Sequence, residues 1–353
     1  MYKFANLPGQ EKRDYFVATG DKTDTPLPPY LIEKDFWVCF LLDVIFDDPN
    51  LKNGFVFKGG TSLSKVFHVI ERFSEDVDLS LEPLFWKIMD EEDIEKVLSP
   101  QISKSQLEKR KKMVEVKCIE KCKEEILLML ETKVSNLLGS REEPYFVYDE
   151  VTPRSIPTIE FRYPRVESST FSQAGLIKRV VTLELGSLVD QRPRERYPVK
   201  SLVAEKFPAA FSKTSCEEVL TLEIERTFWE KIAILHSEAQ RPLEKPQRKN
   251  CFRDYYDIYK IMSSDYRTRV LAASRILDKV VDFNCRFYHN SWIKYDELKI
   301  GSLCLVPPPE KIENLKKGKD EMISFFFVAP PNMDALLEEI LSIEKTINSL
   351  PQN

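Results

Sequence analysis

Two aspartates one residue apart, Asp76 and Asp78, follow a Gly59-Gly60-Thr61-Ser62 turn in the stretch KGGTSLSKVFHVIERFSEDVDL at 58–79. On a strand, residues i and i+2 project to the same side. Two carboxylates held that way, beside a glycine turn through which the backbone can approach a phosphate, make a metal–nucleotide site. Phosphoryl and nucleotidyl transfer require charge to be neutralised on the triphosphate and on the attacking hydroxyl, and Mg²⁺ held by hard carboxylate oxygens does this. The chemistry expected is metal-dependent nucleotidyl transfer, with a nucleoside triphosphate as co-substrate. A third carboxylate comes from Glu184 in IKRVVTLELGSLV at 177–189, where Val181, Leu183 and Leu185 face one way and Thr182 and Glu184 the other. An isolated Asp-x-Asp is common and reads equally as a polar turn at a strand start; the adjoining Gly-Gly-Thr-Ser sets this one apart.

Lys58, Gly59, Gly60, Thr61 and Ser62 are the nucleotide-binding candidates, joined by Arg253 further along. Glycines admit the phosphate, and the helix that follows offers unpaired N–H groups and the positive end of its dipole. Ser62 or Thr61 adds a hydroxyl donor, or either caps the helix. The pattern is neither GxxxxGK[ST] nor GxGxxG. Arg72, Ser74 and Glu75 flank the aspartates as loop-ordering or ion-pairing residues.

Two later segments carry charge at helical spacing. In ERTFWEK at 225–231, Arg226 and Glu230 lie at i and i+4, as do Thr227 and Lys231. Lys231 is a candidate for the β/γ phosphates; a surface ion-pair ladder is the plainer reading. In RDYYDIY at 253–259, Asp257 is placed to orient Lys231 or Arg226, and Arg253 to meet phosphate or RNA.

These residues need a sheet and helices to hold them. Tyr30–Phe46 has a broad apolar face at helical spacing, and Phe55–Phe57 reads as a short buried strand. Thr61–Glu71 reads as a helix and Asp76–Leu81 as the next strand. Residues 84–138, rich in Lys, Glu and Leu, read as a helical insertion packed as a hairpin. Residues 145–163 suggest edge strands, and residues 11–25 a polar, turn-rich stretch. From about residue 200 the pattern turns helical, over 216–239, 252–264, 266–281 and 334–348, with a strand-like FFFV at 325–328. The domains expected are 1–200, carrying the chemistry and the 84–138 insertion, and a mainly helical 201–353.

Composition narrows the class. The 353 residues are 42% apolar and 31% charged, with net charge −5, which fits a globular chain with a full core and excludes a polycation. Basic patches are local: residues 104–123 hold eight Lys/Arg against three Glu, and 241–253 hold five against one. No run approaches a membrane span, and MYKFANLPGQEKRDYF lacks a signal-peptide core, so a cytoplasmic protein is expected. Seven scattered cysteines without a CxxC pair read as free thiols, and three histidines leave any catalysis to carboxylates.

The motifs IEKDFW (32–37), FKGGTSLSK (57–65), RFSEDVDLSL (72–81), LELG (183–186), ERTFWEKIAILHSE (225–238) and RDYYDIYKI (253–261) run in order across the chain. Together they resemble the AbiEii/AbiGii toxin family of nucleotidyltransferases, the toxin half of abortive-infection, type IV toxin–antitoxin systems. The resemblance implies an α+β chain: a polymerase-β-like nucleotidyltransferase mixed sheet with a helical insertion and a helical C-terminal domain. It implies NTP and Mg²⁺, with Gly60 and Ser62 in the phosphate-binding turn, Asp76 and Asp78 as metal ligands, and Lys231 and Asp257 in the later motifs. Either Glu184 or Asp190 completes the acidic set. The family pattern has a lysine where this chain has Thr182, with Lys178 and Arg179 nearby to stand in. The acceptor implied is an RNA, tRNA above all, and an antitoxin partner is implied. The rival readings are a non-catalytic nucleotide-binding or interaction module and an enzyme that nucleotidylates protein hydroxyls.

Overall fold

The computed structural model describes residues 1–22, 26–74, 76–99, 101–150, 156–166, 178–187, 190–248 and 250–351. The chain forms two units: residues 1–66 with 73–222, and residues 67–72 with 223–353.

The first unit contains α1 (Tyr2–Ala5), α2 (Gly9–Asp21), α3 (Pro29–Phe46), β1 (Phe55–Lys58), α4 (Gly59–Lys65), β2 (Asp76–Leu81), α5 (Glu91–Leu98) and α6 (Lys104–Lys121). A π-turn (Cys122–Ile126) leads into α7 (Leu127–Leu138), then β3 (Phe146–Tyr148), β4 (Thr158–Phe161), β5 (Val181–Gly186), β6 (Arg194–Lys200), α8 (Leu202–Lys206) and β7 (Ser215–Leu222). The strands make one seven-stranded mixed sheet in the order β3-β4-β5-β2-β1-β7-β6. β2 and β5 run parallel, as do β1 and β7; the remaining neighbours are antiparallel. The architecture is α+β.

Alternation explains which face of the sheet is which. Val77, Leu79, Val181, Leu183, Leu185, Ile159 and Phe161 are buried on one side. Against that side lies α3, whose Phe40 stacks on Phe161 at 6.3 Å and whose Trp37 meets the same ring edge-on at 6.0 Å. Because α3 is buried around its whole circumference, its polar residues are buried too. Each has a partner. Glu33 takes Arg179 (2.7 Å) and the Val166 N–H (2.7 Å). Lys34 donates to Lys178 O at 2.9 Å, and Asp35 accepts from Leu202 N–H at 2.7 Å and pairs with Lys65. Burial acts to lower the Lys65 pKa, but Asp35 overcomes it and leaves the ammonium more basic than usual.

Several expectations are corrected. Residues 11–25 are not a turn-rich stretch: α2 forms there because Phe16 is buried against Phe4 and Phe36, and residues 23–25 lie outside the described residues. The helix read as Thr61–Glu71 starts earlier, at Gly59, and stops at Lys65, with His68 at φ 52 beyond it. The insertion is not a hairpin of two long helices. A short α5, tied by Asp93 to Arg110, precedes α6 and α7, which are continuous through the π-turn because Cys122 and Leu127 keep right-handed helical torsions. Residues 145–163 supply the edge strand β3, but β4 is interior. The chain turns helical after Leu222, not near residue 200, since β6 and β7 pair with each other and β7 with β1. Of the 177–189 run, residues 177, 188 and 189 lie outside the described residues.

The second unit holds α9 (Ile224–Gln240), α10 (Cys251–Met262), α11 (Arg267–Ala272), α12 (Arg275–Phe287), α13 (Pro309–Glu321) and α14 (Met333–Asn348). α10 packs against α9, α13 and α14. The expected FFFV strand is a 3₁₀ turn (Ile323–Phe325) followed by a single bridge from Phe326 to Arg72. Phe326, half-buried, packs on α10, edge-on to Tyr256 at 4.8 Å. Among the described residues, no helix is long and apolar enough to cross a membrane.

Candidate active site

β2 presents Asp76 and Asp78 half-buried on the polar side of the sheet, alternating with the buried Val77 and Leu79. Pairing extends that side in two rows. In one, Lys58 of β1, Asp78, Glu184 of β5 and Thr158 of β4 are successive register partners. In the other, Asp76 is paired with Thr182, and Thr182 with Glu160. Directly paired residues project to the same face, so Asp76, Asp78 and Glu184 share it, as the alternation predicted. Asp190 lies past the end of β5, where its carboxylate accepts the Arg192 N–H at 3.3 Å.

The glycine turn abuts this row. Gly59 has φ +77, and a Cβ built on it would lie 2.7 Å from the Asp78 carboxyl carbon and 3.0 Å from its Cβ. Glycine is therefore needed twice, for the left-handed torsion and for the approach of Asp78. α4 opens directly on Gly59-Gly60-Thr61, whose amides have no partner within the helix. The hydroxyls play a different part from the one expected. Thr61 Oγ1 donates to Asp76 O, clamping α4 to the start of β2, and Ser62 Oγ donates to Gly59 O at 2.8 Å. A hydroxyl has one proton to give, so both hydroxyls are committed to backbone carbonyls and the donors left in this turn are its amides. Neither residue is the N-cap, which is Lys58.

Of the two basic residues near Thr182, Lys178 approaches Glu160 of this face and Arg179 pairs with Glu33. Arg179 is held by Glu33 and by Val166 O at 2.9 Å, and Lys178, 79% exposed, stands 3.8 Å from Glu160.

Among the described residues, no group of three or more His, Cys, Asp or Glu side chains is gathered closely enough to hold a metal ion. Mg²⁺ is commonly held by one or two carboxylates, the rest of its shell being water and substrate phosphate. Asp76 and Asp78 are such a pair of hard donors, and Glu184 stands beside Asp78.

Lys231 and Asp257 come together in the second unit. Lys231 Nζ lies 2.7 Å from Asp254 and 3.0 Å from Asp257. Asp257, fully buried, takes a fork from Arg72: Nε to Oδ1 at 2.9 Å and a terminal nitrogen to Oδ2 at 2.8 Å. Arg248 closes on the other oxygen of Asp254. Burial would raise the Asp257 pKa, but Arg72 and then Lys231 outweigh it and hold the carboxyl below its usual range. For Lys231 burial is likewise overcome, by Asp254 and then Asp257, and the pKa rises. Arg226 bonds Glu230 at 2.7 Å. The network anchors 67–72: Glu71 O accepts from Phe327 N–H at 2.9 Å, and Glu71 pairs with Lys260 at 2.8 Å. Arg253, on α10, has its Nε buried without a partner among the described residues. Glu75 lies outside the described residues.

Sequence reasoning missed Asp254, although its i,i+3 spacing from Asp257 put both on one helix face. It also missed Glu160, legible as the polar member of the TIEF alternation, and the burial of Glu33, Lys34 and Asp35, for which no local signal exists.

The family model described as nucleotidyl transferase AbiEii toxin, type IV TA system, matches residues 41–339, spanning both units. No curated protein matches the chain. No solved structure matches it.

Proposed function

Since the chain belongs to the AbiEii family of nucleotidyl transferase toxins of type IV toxin–antitoxin systems, we propose that it moves a nucleoside monophosphate from an NTP to the 3′ hydroxyl of an RNA, with tRNA as the foremost acceptor. The supporting observation is the row in which Asp78 and Glu184 are register partners, with Asp76 two residues away and Gly59 against Asp78. The arrangement is read as the polymerase-β-like layout of a nucleotidyltransferase.

In this reading the amides of Gly59, Gly60 and Thr61 bind the triphosphate, and Lys58, the register partner of Asp78, adds positive charge. Asp76 and Asp78 are the residues that would hold Mg²⁺, with Glu184 as the third acid. When bound, the ion neutralises triphosphate charge and lowers the pKa of the attacking hydroxyl. A Glu184 carboxylate oxygen takes the proton of the acceptor hydroxyl. The hydroxyl oxygen bonds to the α-phosphorus in line as the bond to the bridging oxygen breaks and pyrophosphate leaves. Lys231, committed to two carboxylates, is assigned with Asp257 to holding the 67–72 segment through Arg72, in place of direct phosphate contact. Arg253 is kept as a phosphate or RNA contact. The family membership also implies a cognate antitoxin.

The test supplies each α-labelled NTP with Mg²⁺ to the protein, with total RNA and total protein offered as acceptors. Label in a tRNA-sized band is expected. Label confined to protein would move the acceptor class, and no label in either would favour a binding module.

A further inference from the structure

The second unit carries a surface that the proposed chemistry leaves unused. The chain leaving α9, residues 241–248, runs beside the loop that follows α12, residues 288–299. Gln240 joins them: its Oε1 accepts the Lys294 N–H at 2.8 Å and its Nε2 donates to Glu297 at 3.2 Å. On this joint Trp292 is flanked by two cations, with Lys245 Nζ 4.5 Å and the Arg241 guanidinium 5.4 Å from its ring centroid. Arg241 is fixed by a fork to Glu238, at 2.7 and 3.0 Å. Lys245 is exposed, and no carboxylate among the described residues pairs with it. In the same loop Tyr288 is 55% exposed, and the rings of His289 and Tyr295 stack at 5.3 Å. The Tyr295 hydroxyl accepts the Asn290 N–H at 3.1 Å, which fixes the loop's shape.

Rings interleaved with cations on an exposed loop suit a single strand of nucleic acid, whose bases stack while its phosphates meet the charges. An exposed cation–π contact is weaker than a stacked base. An incoming base therefore displaces Lys245 from the indole and leaves its ammonium for the neighbouring phosphate, while Arg241 stays in place. An acidic peptide would gain the cations and nothing from the rings. We infer that residues 241–248 and 288–295 form a binding site for single-stranded RNA on the second unit. This rests on the reading of RNA as the acceptor and adds where the strand is gripped.

Trp37, Trp86 and Trp229 are at most 2% exposed, so emission changes on binding report Trp292. Titration of the full chain with a 12-nucleotide oligouridylate, without NTP, should quench tryptophan emission, with affinity falling as salt rises. By anisotropy of labelled RNA, Trp292→Ala should weaken binding by roughly 5- to 100-fold. Lys245→Glu, at an exposed position that does not bear on folding, should weaken it at least about 5-fold and flatten the salt dependence. Binding that persists in Asp76→Ala while transfer is lost supports the site, and binding by a wild-type chain that transfers nothing would sink the transfer reading and leave the site standing. The inference is overturned if the oligonucleotide gives no quench, if both variants bind like the wild type, or if polyglutamate binds as tightly as RNA.

Discussion

Asp78 of β2 and Glu184 of β5 are register partners on adjacent parallel strands, 106 positions apart in the chain. The pairing that brings them together also puts Thr182 beside Asp76, and it leaves Asp190 off the strand. The proposed chemistry takes Glu184 as its third acid for this reason. Glu184→Gln should reduce nucleotidyl transfer by about 100-fold or more, as loss of a proton acceptor does, while Asp190→Asn should stay within about threefold of wild type. Initial rates at saturating NTP compare the two; the reverse ranking would reassign the role to Asp190.

Gly59→Ala forces a side chain onto a φ of +77 and into the Asp78 carboxylate. The cost should be about 1–3 kcal/mol of stability, together with loss of transfer because Asp78 must move. Urea unfolding monitored by circular dichroism measures the first and the transfer assay the second. An alanine variant as stable and as active as wild type would show that the tight approach is not required.

Asp257 is fully buried between Arg72 and Lys231. Asp257→Asn leaves two cations facing a neutral amide and should cost about 3–5 kcal/mol. The folded carboxyl is held below its ordinary pKa, so its contribution is present above the unfolded value near 4 and is lost as pH falls below it. A shift of less than about 1 kcal/mol in the unfolding free energy of the variant at pH 7 would argue that the network is incidental.

His236 is fully buried, and its Nδ1 accepts the Cys304 N–H at 3.1 Å. Burial pushes its pKa down to about 4. The unfolded chain, near 6.5, takes up the proton first, so stability is unaffected above that value and is lost as pH falls from about 6.5 to 4, by at most about 3 kcal/mol. Thermal melts of wild type and His236→Gln across this window should converge as pH drops. Parallel curves would contradict the assignment.

Much of the site was legible because its signals are local. The alternation of DVDLSL and VTLELG shows which side chains share a face, and Gly-Gly marks the turn where the helix α4 opens. What escaped depends on distant partners. SCEEVLTL reads as helical from its sequence because nothing within it reveals that β1 and β6 need a neighbour. α2 is not legible in the sequence because Phe16 finds its pocket only when Phe4 and Phe36 are in place. Thr61 and Ser62 read from the sequence as hydroxyl donors or caps, but their hydroxyls bond the backbone, and Lys231, which the sequence pairs with Asp257, also meets Asp254.

The central claim is tested most directly by comparing wild type with Asp78→Asn in single-turnover transfer of α-labelled nucleotide to RNA, with and without Mg²⁺. Label that depends on the ion and falls at least about 100-fold in the variant is predicted. Equal labelling by the two proteins, or labelling unchanged by a chelator, would contradict the assignment of this carboxylate face as the catalytic centre.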